Sequence, residues 1–209
     1  MNPRTAFIGA PLLTFAYGVI RILDGLDGTR GPGLAWTTGH LAFVGAMALS
    51  VVAFTHMRAL GGRTRLATFF VGVATLGALA LTVQFGIDIV SGLLSDSHLA
   101  MSARTEDIQS FPGLMPLAYT VGPYLFYVGQ VALVVQLALG RRIKAWTPLL
   151  VLVDMATPLI DKDLIPFGAL LLLVSYVMIL RAVRAAGAAG AVRPGAAPGE
   201  ALPNPAATR

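Results

Sequence analysis

The sequence predicts an all-α integral membrane protein, a polytopic bundle of about six transmembrane helices with both termini cytoplasmic. Composition is the first reason. Of 209 residues, 56% are hydrophobic and 12% are charged, about half the ~25% charge share of a soluble domain. Patterning is the second. Mean hydropathy is +0.76, and apolar residues come in long runs without the alternation of strands. The third is the placing of basic residues. The net charge of +5 sits in short clusters between the runs, which suits a membrane surface and argues against a nucleic-acid partner. The chain has no cysteine, so disulfides, thiolate metal sites and iron–sulfur clusters are excluded.

A hydrocarbon core about 30 Å thick needs roughly 20 apolar residues as helix. The first span is 5–23. Arg4 ahead of it imitates a signal peptide, but no small-residue cleavage site follows, and Asp24-Gly-Leu-Asp27-Gly reads as a turn, so the segment is retained. The second span is 34–57, and the third, 66–94, is long enough to project beyond the bilayer. The fourth is 113–139. The fifth, 146–160, is short and bracketed by Pro148 and Pro158; it borrows flanking residues or forms a tilted or broken hairpin with the sixth, 164–181. The Ala/Gly/Pro-rich segment 185–209 is expected to be a disordered tail. No G-x-x-x-G helix-packing motif occurs in any span.

Of the fifteen Lys and Arg residues, eleven fall to one side of this arrangement and four (Arg21, Arg30, Arg104 and Lys162) to the other. The richer side is cytoplasmic. Of ten acidic residues only Glu200 belongs there, and most of the others are solvated outer-loop carboxylates. Asp88 and Asp154 differ, because they lie inside spans. A carboxylate in hydrocarbon costs about 2.5–3.5 kcal/mol on insertion scales, so it pairs, faces a polar cavity or stays protonated.

Counting helical rise, Asp88, Asp154, His40, Tyr119 and Tyr17 all lie roughly 9 Å below the outer surface. Gln84 stands one turn from Asp88, and Trp36 one turn from His40. Tyr17, Arg21 and Asp24 are spaced to form a column towards the outer loop. Tyr124, Phe126 and Tyr127 come below this level. The pattern predicts a pocket with a polar cap and an aromatic body, opening towards the outer half. Plainer readings stand beside it. Asp88 can pair with Arg21 or His40 to hold the bundle, and Thr157 with proline-freed backbone can satisfy Asp154. Trp36 and Trp146 read first as interface anchors, His56 as interfacial, and Gln130 as interhelical glue or pocket wall.

Several chemistries lack their residues. His40 has no second histidine at matched depth for haem, no lysine lies inside a span for a retinal Schiff base, and H-E-x-x-H, Walker and dinucleotide motifs are missing. Asp161-Lys162-Asp163 reads as a hydrated turn and not a magnesium site. No metal and no cofactor is expected. Proton chemistry remains: a carboxylic acid in an apolar site can stay protonated and act as a general acid, and aromatic faces stabilise carbocations.

Residues 11–45 carry a resemblance. P-x-L-x-x-x-Y-G-x-x-R-x-x-D-G at Pro11–Gly25 and G-P-G-x-A-W-T-x-G-H at Gly31–His40 resemble small bacterial membrane-bound terpene cyclases of the drimentine type, which close the farnesyl chain of prenylated indole alkaloids. A looser likeness extends to fungal meroterpenoid cyclases, also small, all-helical and acid-initiated. The resemblance implies metal-independent protonation of an alkene or epoxide in a lipophilic prenylated substrate, in a multi-pass protein of the bacterial plasma membrane. It assigns no catalytic residue, so the acids rest on depth and spacing. Asp88 is the first candidate acid, tuned by Gln84; His40 or Asp154 would be the terminal base, and Asp24, oriented by Arg21, an alternative acid. Tyr17, Trp36, Tyr119, Tyr124, Phe126 and Tyr127 would shape the cavity. Two other functions use the same residues. One is a small-molecule transporter, exporter or immunity protein; the other is a structural or regulatory subunit whose polar layer only packs.

Overall fold

The computed structural model describes residues 2–191, which are all-helical, with no strand among them. Helix α1 (Pro3–Asp24) starts where the Asn2 side chain accepts from the Arg4 N–H at 2.9 Å, with Pro3 supplying a first-turn residue that needs no N–H partner. Helix α2 (Leu34–Leu60) follows the glycine-flanked loop. Helix α3 (Arg65–Leu93) is capped by Thr64, which accepts from the Ala67 N–H at 3.1 Å. Helix α4 (His98–Gln109) was not foreseen as an element. It is too polar to register as a span, and Ser97 caps it by accepting from the Ala100 N–H at 3.3 Å.

A π-helical turn, Met115–Val121, then leads into α5 (Gly122–Leu139). Pro116 stands in the first turn of this segment, and Pro123, just past its end, withholds an N–H from the ladder. Helix α6 (Thr147–Ile160), a short 3₁₀ turn (Lys162–Leu164) and α7 (Ile165–Ala191) complete the bundle. The segment expected to be a tail from 185 is helical as far as Ala191, as its alanine-rich start favours; the rest of that expectation lies outside the described residues.

Five helical segments are long and apolar enough to cross a membrane: Pro3–Asp24, Leu34–Leu60, Arg65–Leu93, Met115–Leu139 and Lys162–Ala189. Large apolar side chains such as Leu76, Leu79, Phe69 and Leu170 are exposed on their flanks, as lipid contact requires. The architecture is that of a multi-pass membrane protein. Helix α6 has 14 residues, about 21 Å of helix at ~1.5 Å per residue, and packs on α7 as a hairpin.

Helix α1 lies between α2 and α7, while α3 lies between α2 and α5. At the α3–α5 contact the backbones touch. A methyl group added at Gly77 would fall on the backbone of Phe126, and one added at Gly129 would come 2.5 Å from the Ala74 nitrogen. Close packing through small residues is a common membrane solution. It escapes the G-x-x-x-G pattern because each glycine meets backbone of the other helix.

The bundle has two unlike ends. Near the 61–64 and 140–146 loops it is solid: Phe7, Phe54, Met57, Leu133, Leu137 and Tyr176 are at most 2% exposed. His56, expected to be interfacial, lies half-buried with its ring 6.2 Å from that of Phe7. At the other end Arg30 reaches from the 25–33 loop to Asp163 at 3.0 and 3.1 Å. Beneath that tie the bundle is hollow.

Candidate functional site

The hollow is a chamber of about 410 Å³ lined from every spanning segment. Helix α1 gives Thr14, Tyr17 and Arg21; α2 gives Trp36, His40, Phe43, Met47 and Ser50; α3 gives Leu81, Gln84, Phe85 and Asp88. These positions recur at steps of three and four, so each helix presents one face inward. Tyr119 from the π-helical turn, Pro123, Phe126 and Tyr127 from α5, and Asp154, Thr157 and Pro158 from α6 close the circle, with Lys162, Ile165 and Leu172 at the α6–α7 side. The size falls within the ~300–1,000 Å³ usual for small-molecule sites.

The polar cap is organised around His40. Its Nδ1 lies 2.7 Å from the Trp36 carbonyl oxygen one turn back. A carbonyl only accepts, so Nδ1 carries the hydrogen and donates. The other ring nitrogen, Nε2, faces Asp88, whose Oδ2 is 3.7 Å away. The Trp36 indole N–H in turn donates to the Asp88 backbone oxygen at 2.8 Å. Trp36, expected first as an interface anchor, is instead a tie between α2 and α3. The result is a closed arrangement in which one acid and one imidazole face each other at a separation longer than a hydrogen bond.

Aromatic rings surround this pair. Around His40 stand Trp36, Phe85 and Tyr17, at centroid distances of 4.1, 5.1 and 5.7 Å. Phe43 stacks on Phe85 at 4.0 Å and 15°. Further along, Phe126 and Tyr127 meet edge to face at 5.9 Å. Gln84 lies one turn from Asp88, with its Oε1 buried and unpartnered among the described residues.

Asp154 occupies the α6 wall. Pro158 cannot donate to the Asp154 carbonyl, and the Thr157 hydroxyl replaces that bond, donating to the same oxygen at 2.6 Å. Thr157 therefore satisfies the backbone of Asp154 and leaves the carboxylate to the chamber. Gly168 of α7 makes room for it: a methyl group there would lie 2.8 Å from Asp154 Oδ1 and against the Thr157 hydroxyl.

The chamber unites Tyr17, Arg21, Trp36, His40, Gln84, Asp88, Tyr119, Phe126, Tyr127 and Asp154 from the sequence-derived set. Two members lie elsewhere. Tyr124 is 59% exposed on the outside of α5, because it stands roughly 160° round the helix from Phe126. Asp24 is the last residue of α1 and lines a small recess beside Arg30 and Gly39, not the chamber. Nor does Arg21 pair with Asp24. Its Nε lies 3.6 Å from Asp163 Oδ1, so the expected tyrosine–arginine–aspartate column is replaced by a tie from α1 to the turn before α7. Gln130 is buried outside the chamber lining.

Sequence reasoning passed over Phe43, Phe85, Met47 and Ser50. A signal for them existed: 36, 40, 43, 47 and 50 follow one helix face, as do 81, 84, 85 and 88. Among the described residues no three His, Asp or Glu side chains converge as metal ligands would. Comparison with protein-family models, curated proteins and solved structures gives no match to this chain.

Proposed function

We propose that the chain is an integral membrane terpene cyclase that closes a prenyl chain of farnesyl type on a lipophilic small molecule by metal-independent protonation of an alkene or epoxide. Its place is the bacterial cell membrane, with α6 making a short sixth crossing and the bundle's basic end in the cytoplasm. One observation carries the reading. A carboxyl and an imidazole 3.7 Å apart open onto a chamber of about 410 Å³ whose remaining walls are largely aromatic and aliphatic.

In this reading the protonated Asp88 carboxyl gives its hydrogen to the substrate, and the substrate's π electrons form the new C–H bond. With an epoxide the proton goes to oxygen and the C–O bond breaks. The faces of Tyr17, Phe43, Phe85 and Phe126 attract the resulting cation through their quadrupoles while ring closure moves the charge. A base then removes a proton, so substrate and product are isomers. His40 Nε2 suits a product proton released near the starting end, where it is one transfer from Asp88. Asp154 suits one released at the α6 wall.

The test is incubation of membranes containing the full chain with farnesylated indoles under chelator, read by liquid chromatography and mass spectrometry. A new isomer of unchanged mass, lost in Asp88→Asn at equal protein level, supports the reading. No isomer from folded protein across a broad panel removes it.

A second reading has one observation in its favour. The short α6 ends at a polar cavity beside Pro158, and interrupted helices at polar sites are typical of transporters. A proton-coupled transporter, exporter or immunity protein would give flux or resistance without a changed product.

A further inference from the structure

A second cavity, of about 540 Å³, lies between the 25–30 loop and α4, and its wall includes Arg30, His98, Glu106 and Gln109. Helix α4 is fixed over it. His98 Nδ1 donates to the Arg30 carbonyl at 2.7 Å, and Met101 is 4% exposed. This vestibule and the chamber have two lining residues in common, Trp36 and Asp88.

Trp36 is held in the partition from two directions. Its indole N–H donates to the Asp88 carbonyl oxygen at 2.8 Å. Its ring also lies on the bare face of Gly92, where an added methyl group would come 2.6 Å from Cδ1 and 2.8 Å from Nε1. A larger residue at 92 displaces the indole. Gly92 touches neither cavity, so its role is to position Trp36.

We propose that the vestibule is a hydrated proton-supply site for Asp88, and that Trp36 seated on Gly92 seals its water from the chamber. Each turnover leaves Asp88 as a carboxylate. A hydronium ion in the vestibule gives its proton to the carboxylate oxygen and remains as water, so the acid is recharged from a compartment the substrate does not occupy. The seal matters because a carbocation in the chamber captures any water that reaches it. The part played by the seal in product outcome rests on the cyclase reading; the access of water to Asp88 does not.

Carboxyl labelling tests the access. Opened membrane fragments bearing the full chain are treated with a cationic water-soluble carbodiimide or with dicyclohexylcarbodiimide, and adducts are mapped by peptide mass spectrometry. The water-soluble reagent is expected to add to Asp88 and not to Asp154, whereas the lipid-soluble reagent adds to both. In Gly92→Ala the water-soluble reagent is expected to reach Asp154 as well. Trp36→Phe, which keeps a ring but loses the N–H bond, gives the same readout if the glycine variant does not fold. An unlabelled Asp88, or an Asp154 labelled equally in the unaltered protein, overturns the proposal.

Product analysis separates the two ideas. Gly92→Ala is expected to divert part of the product to a species heavier by one water. Correct labelling with no cyclised product from the unaltered protein overturns the cyclase reading and leaves the vestibule standing. Cyclisation without the expected labelling pattern does the reverse.

Discussion

The two ends of this bundle are built by the same helices and yet are opposites. Towards the 61–64 loop, Phe54, Met57, Leu133 and Leu137 fill the space between α2 and α5 and are at most 1–2% exposed. Two to four turns back along α2 from Phe54, Met47, Phe43 and His40 face a void. Helix direction does not account for the change, since α3 and α5 stay in close contact from Ala74–Gly129 through Gly77–Phe126 to Ala80–Gly122. What differs is the far side. There the short α6, with Pro158 in its last turn, supplies only Asp154, Thr157, Pro158 and Leu159 to the wall, and Gly168 spends its position accommodating Asp154. The chamber is thus a space that large aromatic side chains line without filling, with polar groups placed among them.

Substitutions at the two ends should fail in different ways. The largest effect is expected from Asp88→Asn, which keeps shape and removes the transferable proton. Loss of general acid catalysis costs typically ~10²–10⁴-fold in turnover, measured as initial rate at matched protein level, with thermal stability in detergent nearly unchanged. At the solid end Leu133→Ala should do the opposite. It should lower unfolding stability by about 2–5 kcal/mol, as cavity-creating truncations do, while the product isomer formed by the surviving protein stays the same. A Leu133 variant that changed the product would break the division.

Smaller effects sharpen it. Asp163→Asn releases Arg21 and Arg30 at a site 44% exposed, where ion pairs are worth ~0–1 kcal/mol; a thermal shift of a few degrees or less is expected. Tyr124→Leu, on the outer face of α5, should change neither rate nor stability measurably. If Tyr124→Leu impaired turnover as much as Tyr127→Leu, the chamber boundary drawn here would be wrong.

Much of the bundle was legible because hydropathy and helical rise are local quantities. Counting rise alone brought Tyr17, His40, Asp88, Tyr119 and Asp154 to one level, and all five line the chamber. Rotation about the helix axis is the other local quantity. It separates Tyr124 from Phe126 and would have added Phe43 and Phe85. Contacts between distant segments were not legible. Nothing near Arg21 in the sequence announces Asp163, and Asp24 was the closer candidate. The role of Trp36 was hidden because an aromatic residue near a span end has an ordinary interfacial explanation. Helix α4 escaped because its start depends on one serine cap and its sides are polar.

The central claim, that Asp88 hands a proton to carbon or oxygen of a lipophilic chain, is tested most directly by running the reaction in deuterium oxide. Product formed by alkene protonation is expected to carry a single deuterium at the carbon that receives the proton, or an exchangeable one at oxygen for an epoxide substrate, and Asp88→Asn is expected to form neither. An alkene product formed at full rate without deuterium, or an unimpaired Asp88→Asn, would contradict the account.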